Sequence, residues 1–116
     1  MLPLIADADF DNDILRGVRR SDPSVVITRI QDVGLRTALD SIIVDWCAKN
    51  EMNLLTHDVS TMTTEAVKRI ERGAEMAGMI VVRQSLPISL VIEDIILIAG
   101  CSTVAEWAGK ICYLPL

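Results

Sequence analysis

Asp7 closes the short apolar run Leu2–Ala6, and Asp58 lies just past a second candidate strand, Asn53–Thr56. A run of that kind suits a buried strand, and a carboxylate at its end is costly unless something compensates its charge. Asp40 heads a third candidate position, at the start of a helix leading into the second of these strands. Carboxylates that converge in one cleft repel each other unless a cation sits between them. Ligands that are all oxygen favour Mg²⁺ or Mn²⁺ over zinc, and no His/Cys spacing in the chain competes with that choice. Such an ion binds a phosphodiester, lowers the pKa of an attacking water and stabilises the leaving oxygen. The expected metal set is therefore Asp7, Asp40 and Asp58, with Asp9 as a fourth oxygen donor. Thr56, His57 and Ser60 are expected at the rim, orienting substrate.

Each of these residues also has a plain structural reading. Asp9 and Asp11 suit the cap of the helix that follows, and Asp40 suits the cap of its own. Asp58 suits an Asx turn. His57 suits a surface imidazole. The residue types and spacings leave both readings open.

The elements that must position these groups alternate in type. Strands are expected at Leu2–Ala6, Val25–Thr28, Asn53–Thr56, Gly78–Val82 and Ile111–Leu114. A helix capped by Asp11 or Asn12 runs to about Arg20, with Ile14, Leu15 and Val18 on one face. Gln31–Leu39 is a connection. Helices follow from Ser41 to about Asn50, with Ile42, Ile43, Trp46 and Cys47 as the apolar stripe, and from about Thr63 to Arg72, with Val67 and Ile70 inward and Gly73 past the end. Pro87 opens a helix that Gly100 ends, and Thr103 with Glu106 has capping-box spacing for a short one. Strand–helix alternation predicts an α/β fold: a three-layer sandwich with a central, mainly parallel sheet of about five strands. In such sheets the functional cleft lies beyond the carboxyl ends of the strands, where the candidate acids are.

Composition narrows the function classes. The chain of 116 residues is expected to be one domain over 1–116, with an aliphatic core, since 51% of residues are apolar and only 3% aromatic. A formal net charge of -5 argues against a protein that coats nucleic acid. The scarcity of aromatics removes base stacking as the main binding device. Three cysteines far apart, Cys47, Cys101 and Cys112, read as reduced core residues. The N-terminus lacks the pattern of a signal peptide, and Leu86–Ala99 is too short and too polar to span a bilayer. The expected location is the cytoplasm, with no membrane partner.

Four stretches together resemble a known family: Leu4-Ile5-Ala6-Asp7-Ala8-Asp9-Phe10; Val33-Gly34-Leu35-Arg36 leading to Asp40-Ser41-Ile42-Ile43; Leu54-Leu55-Thr56-His57-Asp58; and the half from Gly78 onward, with Leu86-Pro87-Ile88 and Ile92-Glu93-Asp94. In order and spacing they look like the small PIN-like proteins related to VapC-type nucleases. The resemblance implies a PIN-like fold, an acidic metal site and metal-dependent endoribonuclease activity on single-stranded RNA. It also implies a role as the toxin of a bacterial toxin–antitoxin pair, with a small antitoxin protein as partner. Asp7, Asp40 and Asp58 match the family's acids. Ala8 and Asp9 stand where relatives often have Glu and Asn, and Ser60 is nearest to the usual position of a fourth acid.

Other readings compete. A catalytically inactive PIN-fold binding module fits the helix over Leu86–Ala99, which is apolar nearly all round and suits either a central position or a homodimer interface. A phosphoacceptor receiver domain also carries paired acids after strand one and an aspartate after strand three, but needs a lysine after its last strand, whereas Lys110 precedes it. A haloacid-dehalogenase-type phosphatase shares Asp7-x-Asp9 but needs a further acid pair, and Glu93-Asp94 falls in a helix. Arg16, Arg19, Arg20, Arg36, Lys68, Arg69 and Arg72 suit either a groove for single-stranded RNA, with Arg36 as an expected substrate contact, or solvated helix faces.

Overall fold

The computed structural model describes residues 1–116. Five short strands form one sheet: β1 (Leu4–Ala6), β2 (Ile27–Arg29), β3 (Asn53–Thr56), β4 (Met79–Val81) and β5 (Ile111–Tyr113). All neighbours pair in parallel, in the order β2-β1-β3-β4-β5. The connections are helical: α1 (Asn12–Ser21), a 3-10 turn (Ile30–Val33) with α2 (Asp40–Asn50), α3 (Thr61–Glu71), and α4 (Ile88–Cys101) with the short α5 (Val104–Trp107). The expected α/β architecture with a five-stranded parallel sheet between helical layers is the one observed.

Strand alternation builds the two layers. Leu4, Ala6, Leu55, Ile80 and Val82 point to one face and pack with Ile14, Leu15 and Val18 of α1 and Val91, Ile95 and Ile98 of α4. Ile5, Leu54, Met79 and Val81 point to the other and pack with Ile43, Val44 and Cys47 of α2 and Met62 and Ala66 of α3. β1, β3 and β4 are buried throughout; β1 and β4 read as continuous apolar runs, and β3 places Leu54 and Leu55 between the buried polar residues Asn53 and Thr56. Gly17 lets α1 approach α4 closely, for a Cβ there would collide with Ile92 Cδ1.

Several local expectations need correction. The second strand is Ile27–Arg29, two residues later than expected at its start, because pairing begins only where Leu4 N donates to the Val26 carbonyl at 3.0 Å. Leu39, not Asp40, caps α2, and Asp40 is its first residue. Ile42 of that helix is half exposed, and Val44 takes its place in the core. α3 starts at Thr61, and its inward residues are Met62, Thr63 and Ala66; Val67 and Ile70 face outward, 43% and 42% exposed. Val67 lies beside Tyr113 on the open edge of the sheet, where no further element covers it. α4 continues through Gly100 to Cys101. It packs on α1 and the sheet through Val91, Ile95 and Ile98, leaving Ile88 and Leu97 exposed. The cap of α1 by Asp11, the capping box of Thr103 with Glu106, and Gly73 in the left-handed region after α3 are as expected. No helix is long and apolar enough to cross a membrane.

Candidate functional site

The strand order reverses direction between β1 and β3, so the crevice at their carboxyl ends is the switch point of the sheet. Asp7 follows β1 and Asp58 follows β3 by two residues. The Asp7 amide extends the pairing by donating to the Leu55 carbonyl at 2.9 Å.

Asp7 is half-buried. Its Oδ1 accepts the Ala8 amide at 2.9 Å and its Oδ2 accepts the Thr56 hydroxyl at 3.0 Å. None of the five ion pairs of the molecule includes it, nor Asp9, Asp40 or Asp58. Burial raises the Asp7 carboxyl above its ordinary value, against the two hydrogen bonds, and the charges of Asp9 and Asp40 push it further up. Asp7, Asp9 and Asp40 therefore form one field of negative charge without a counter-cation.

Thr56 is fully buried, so it does not sit at the rim. Its hydroxyl donates to Asp7 and accepts the Asp58 amide at 3.0 Å, which ties the ends of β1 and β3 into one chain of hydrogen bonds. Thr56→Val keeps the shape and leaves Asp7 Oδ2 and the Asp58 amide each without a partner, while Oδ1 keeps the Ala8 amide. The expected loss of stability is about 2 kcal/mol, measured by denaturant unfolding, together with a further rise of the Asp7 pKa in a carboxylate titration by NMR.

Asp58 is turned the other way. Its Oδ1 accepts the Ser60 amide at 2.8 Å, the Thr61 amide at 2.9 Å and the Ser60 hydroxyl at 3.2 Å, and its Oδ2 accepts the Thr61 hydroxyl. Burial opposes the charged form, but these donors outweigh it and hold the carboxyl at about 2. Asp58 thus anchors the first turn of α3. Its folded pKa lies below its unfolded one, so its contribution to stability is complete above the unfolded value and disappears as the pH falls from about 4 towards 2. Asp58→Asn is expected to lower the thermal midpoint at pH 7 and to flatten the acid limb of the stability curve over that window.

His57 bridges loops. Its ring stacks on Phe10, with centroids 4.3 Å apart and planes 6° from parallel. Nε2 accepts the Asp11 amide at 3.1 Å, which assigns the proton to Nδ1, and Nδ1–H donates to the Val82 carbonyl at 2.7 Å. The imidazole thereby joins the ends of three segments rather than standing free on the surface. Ser60 is exposed beside Asp58. Arg36 is exposed in the connection before α2.

Gln31 escaped the sequence reading. Its Nε2 donates to the Ala8 carbonyl at 3.5 Å, and its buried Oε1 has no partner. Only the fold brings the turn after β2 beside the loop after β1. Most of the basic residues considered for a groove are engaged elsewhere: Arg16 with Asp13, Lys68 with Glu65, Arg69 with Asp45, and Arg19 with the Ile27 carbonyl.

A cleft of about 430 Å³ runs along Ala38, Leu39, Asp40, Ser41, Thr61 and Glu65, between the starts of α2 and α3. A cleft of similar size, about 420 Å³, lies among residues that precede strands, including Ala77 and Gly109, at the opposite end of the sheet from the acids. In kind, the acids fit a hard divalent cation, being anionic, all oxygen and unpaired with any Lys or Arg. As placed, no three His, Cys, Asp or Glu side chains stand close enough to share one ion. No family model, curated protein or solved structure matches the chain.

Proposed function

We propose that the carboxyl end of the sheet is the active site of a Mg²⁺- or Mn²⁺-dependent endoribonuclease of PIN-like type. One observation carries this reading: Asp7 is a half-buried carboxylate with raised pKa, pressed by Asp9 and Asp40, with no cationic side chain to balance it. A folded chain that keeps such a cluster tolerates a standing electrostatic cost, which a bound cation removes.

Side-chain rotation would have to bring Asp7, Asp9 and Asp40 onto one ion, since they do not share a site as placed, with Asp58 joining through Oδ2, which accepts a single bond. A divalent cation held by these carboxylates would supply polarisation of a phosphodiester and a water made nucleophilic at neutral pH. Thr56 and the Ala8 amide fix the orientation of Asp7. His57 and Phe10 brace the loop that carries Asp9. Asp58 remains ionised across the working range because its folded pKa is about 2. Ser60 and Arg36, both exposed, are placed to meet a single-stranded RNA backbone. The action in the cell would be that of a toxin held in check by a small antitoxin protein.

The second reading is a PIN-shaped binding module without activity. The engagement of Asp58 by Ser60 and Thr61 favours it, since the carboxylate then serves α3 rather than a metal. The strand order is also that of phosphoacceptor domains. Lys110, however, lies at the amino end of β5, across the sheet from the acids, and cannot serve as their lysine. The deciding experiment incubates the protein with single-stranded RNA and Mn²⁺ or Mg²⁺, with chelator and Asp7→Asn as controls. Cleavage that needs the metal and Asp7 supports the nuclease; RNA left intact at every metal concentration supports the binding module.

A further inference from the structure

The two edges of the sheet are treated differently by the sequence. In a parallel ladder, successive residues turn their N–H and C=O groups alternately to one neighbour and to the other. Leu4 N bonds the Val26 carbonyl, so the Ile27 carbonyl points out of the sheet at the β2 edge. The Arg19 guanidinium covers it, donating at 3.1 Å. At the other edge, Met79 N bonds the Lys110 carbonyl at 2.9 Å and Leu114 N bonds the Val81 carbonyl at 3.0 Å. Lys110, Cys112 and Leu114 therefore face β4, and the backbone groups of Ile111 and Tyr113 face outward, met only by the neighbouring Cys112 thiol, whose Sγ lies 4.0 Å from the Tyr113 carbonyl oxygen. A bare edge of this kind is a template for another strand. Tyr113 is 46% exposed beside it, and Val67 of α3 is exposed next to Tyr113.

We propose that β5 pairs antiparallel with β5 of a second copy of this chain, about a two-fold axis through Cys112, so that two five-stranded sheets become continuous. The strand is complementary to itself in that register. Ile111 lies opposite Tyr113 of the second copy and exchanges both hydrogen bonds with it, and the two-fold repeats the pair. An aromatic side chain facing a β-branched one is a favourable cross-strand combination. Charge agrees. Glu106 and Lys110 flank the strand on one face, Lys68 and Glu71 on the other, so this edge is balanced in a chain of net charge -5. Two copies meet there without the repulsion their net charges would otherwise impose. The axis stands perpendicular to the sheet, so the carboxyl ends of the two halves point in opposite directions. The two Asp7 clusters face away from each other, each open to its own ligand, whether or not they cut RNA.

The register brings Cys112 of each copy face to face as a non-hydrogen-bonded pair, for which Cα atoms are about 4.5 Å apart, within the span of a disulfide. Cys101 is exposed and is removed first. In Cys101→Ser protein, a copper(II) oxidant at mildly alkaline pH takes two electrons from two thiols and joins them, with release of two protons. The alkaline pH offsets the burial that holds the Cys112 thiol above its ordinary value, with a smaller push from Asp94. The expected result is a covalent dimer on a non-reducing gel, absent when Cys112→Ser is added. Light scattering should show a reversible dimer whose dissociation constant rises at least tenfold in Tyr113→Pro, which loses the outward N–H and the aromatic side chain but no backbone bond to β4. Should that variant fail to fold by circular dichroism, Tyr113→Lys provides the same test through a charged edge. A particle of one-copy mass at every concentration up to the solubility limit overturns the proposal. So does a dimer that survives a folded Tyr113 variant, or one whose cross-link forms without Cys112.

Discussion

Asp7→Asn is expected to abolish metal-dependent RNA cleavage, by about three orders of magnitude, and at the same time to make the metal-free protein more stable at pH 7. The two effects have one cause. The Asp7 carboxyl is raised by burial and by Asp9 and Asp40, so its charged form is disfavoured in the fold. A folded pKa above the unfolded one means that this group favours folding most when protonated. Its contribution falls as the pH rises through the folded pKa, the reverse of Asp58. An amide removes the charge and keeps the bonds: Oδ1 accepts the Ala8 amide, and Nδ2 donates to the Thr56 hydroxyl, whose own proton is then free. Thermal melts across pH 4–8 should show the variant gaining on wild type as the pH rises. A variant less stable than wild type at pH 7 would mean that the Asp7 charge is already compensated in the fold.

Gly78→Val is expected to cost about 3 kcal/mol or more, a drop in midpoint of roughly 15 °C for a domain of this size. Gly78 leads into β4 against the chain that precedes β5. A Cβ there meets the Trp107 carbonyl oxygen and Trp107 Cβ, each at 2.9 Å, and collides with Asn53 Oδ1. Two of these three atoms cannot swing aside, one being backbone and one held by it. Asn53 is fully buried and neither polar atom of its amide has a partner, so crowding it leaves no hydrogen bond to gain. Gly100 is the control. A Cβ at that position meets nothing, and the residue lies inside α4, so Gly100→Ala should add about 0.5–1 kcal/mol by helix propensity. Urea unfolding of both variants reads the contrast.

The strands ending in Asp7 and His57-Asp58 were legible because both faces of β1 and β3 are buried, which leaves apolar runs that polar residues end abruptly. The helix over Asn12–Ser21 was legible through its cap and its single apolar face. Residues whose role depends on distant chain were not. Thr56 looked like a rim hydroxyl, yet its bond to Asp7 crosses 49 positions. His57 looked like a surface imidazole, yet it stacks on Phe10 and bonds the Asp11 amide, 46 positions away. Periodicity placed Val67 and Ile70 inward because it assumes a covered face, and the open β5 edge supplies none for Val67. The direction of the Asp58 side chain depended on Ser60 and Thr61, whose donors compete with any metal for it.

A hard cation would relieve the charge that gathers around Asp7. A Mn²⁺ titration of the metal-free protein, followed by the paramagnetic relaxation of water and by thermal melting in parallel, reads this relief. Saturable binding, a rise in midpoint with Mn²⁺ in wild type, competition by Mg²⁺ and loss of both signals in Asp7→Asn are expected. Manganese that binds Asp7→Asn as tightly as wild type, or no rise in wild type at millimolar Mn²⁺, contradicts this expectation.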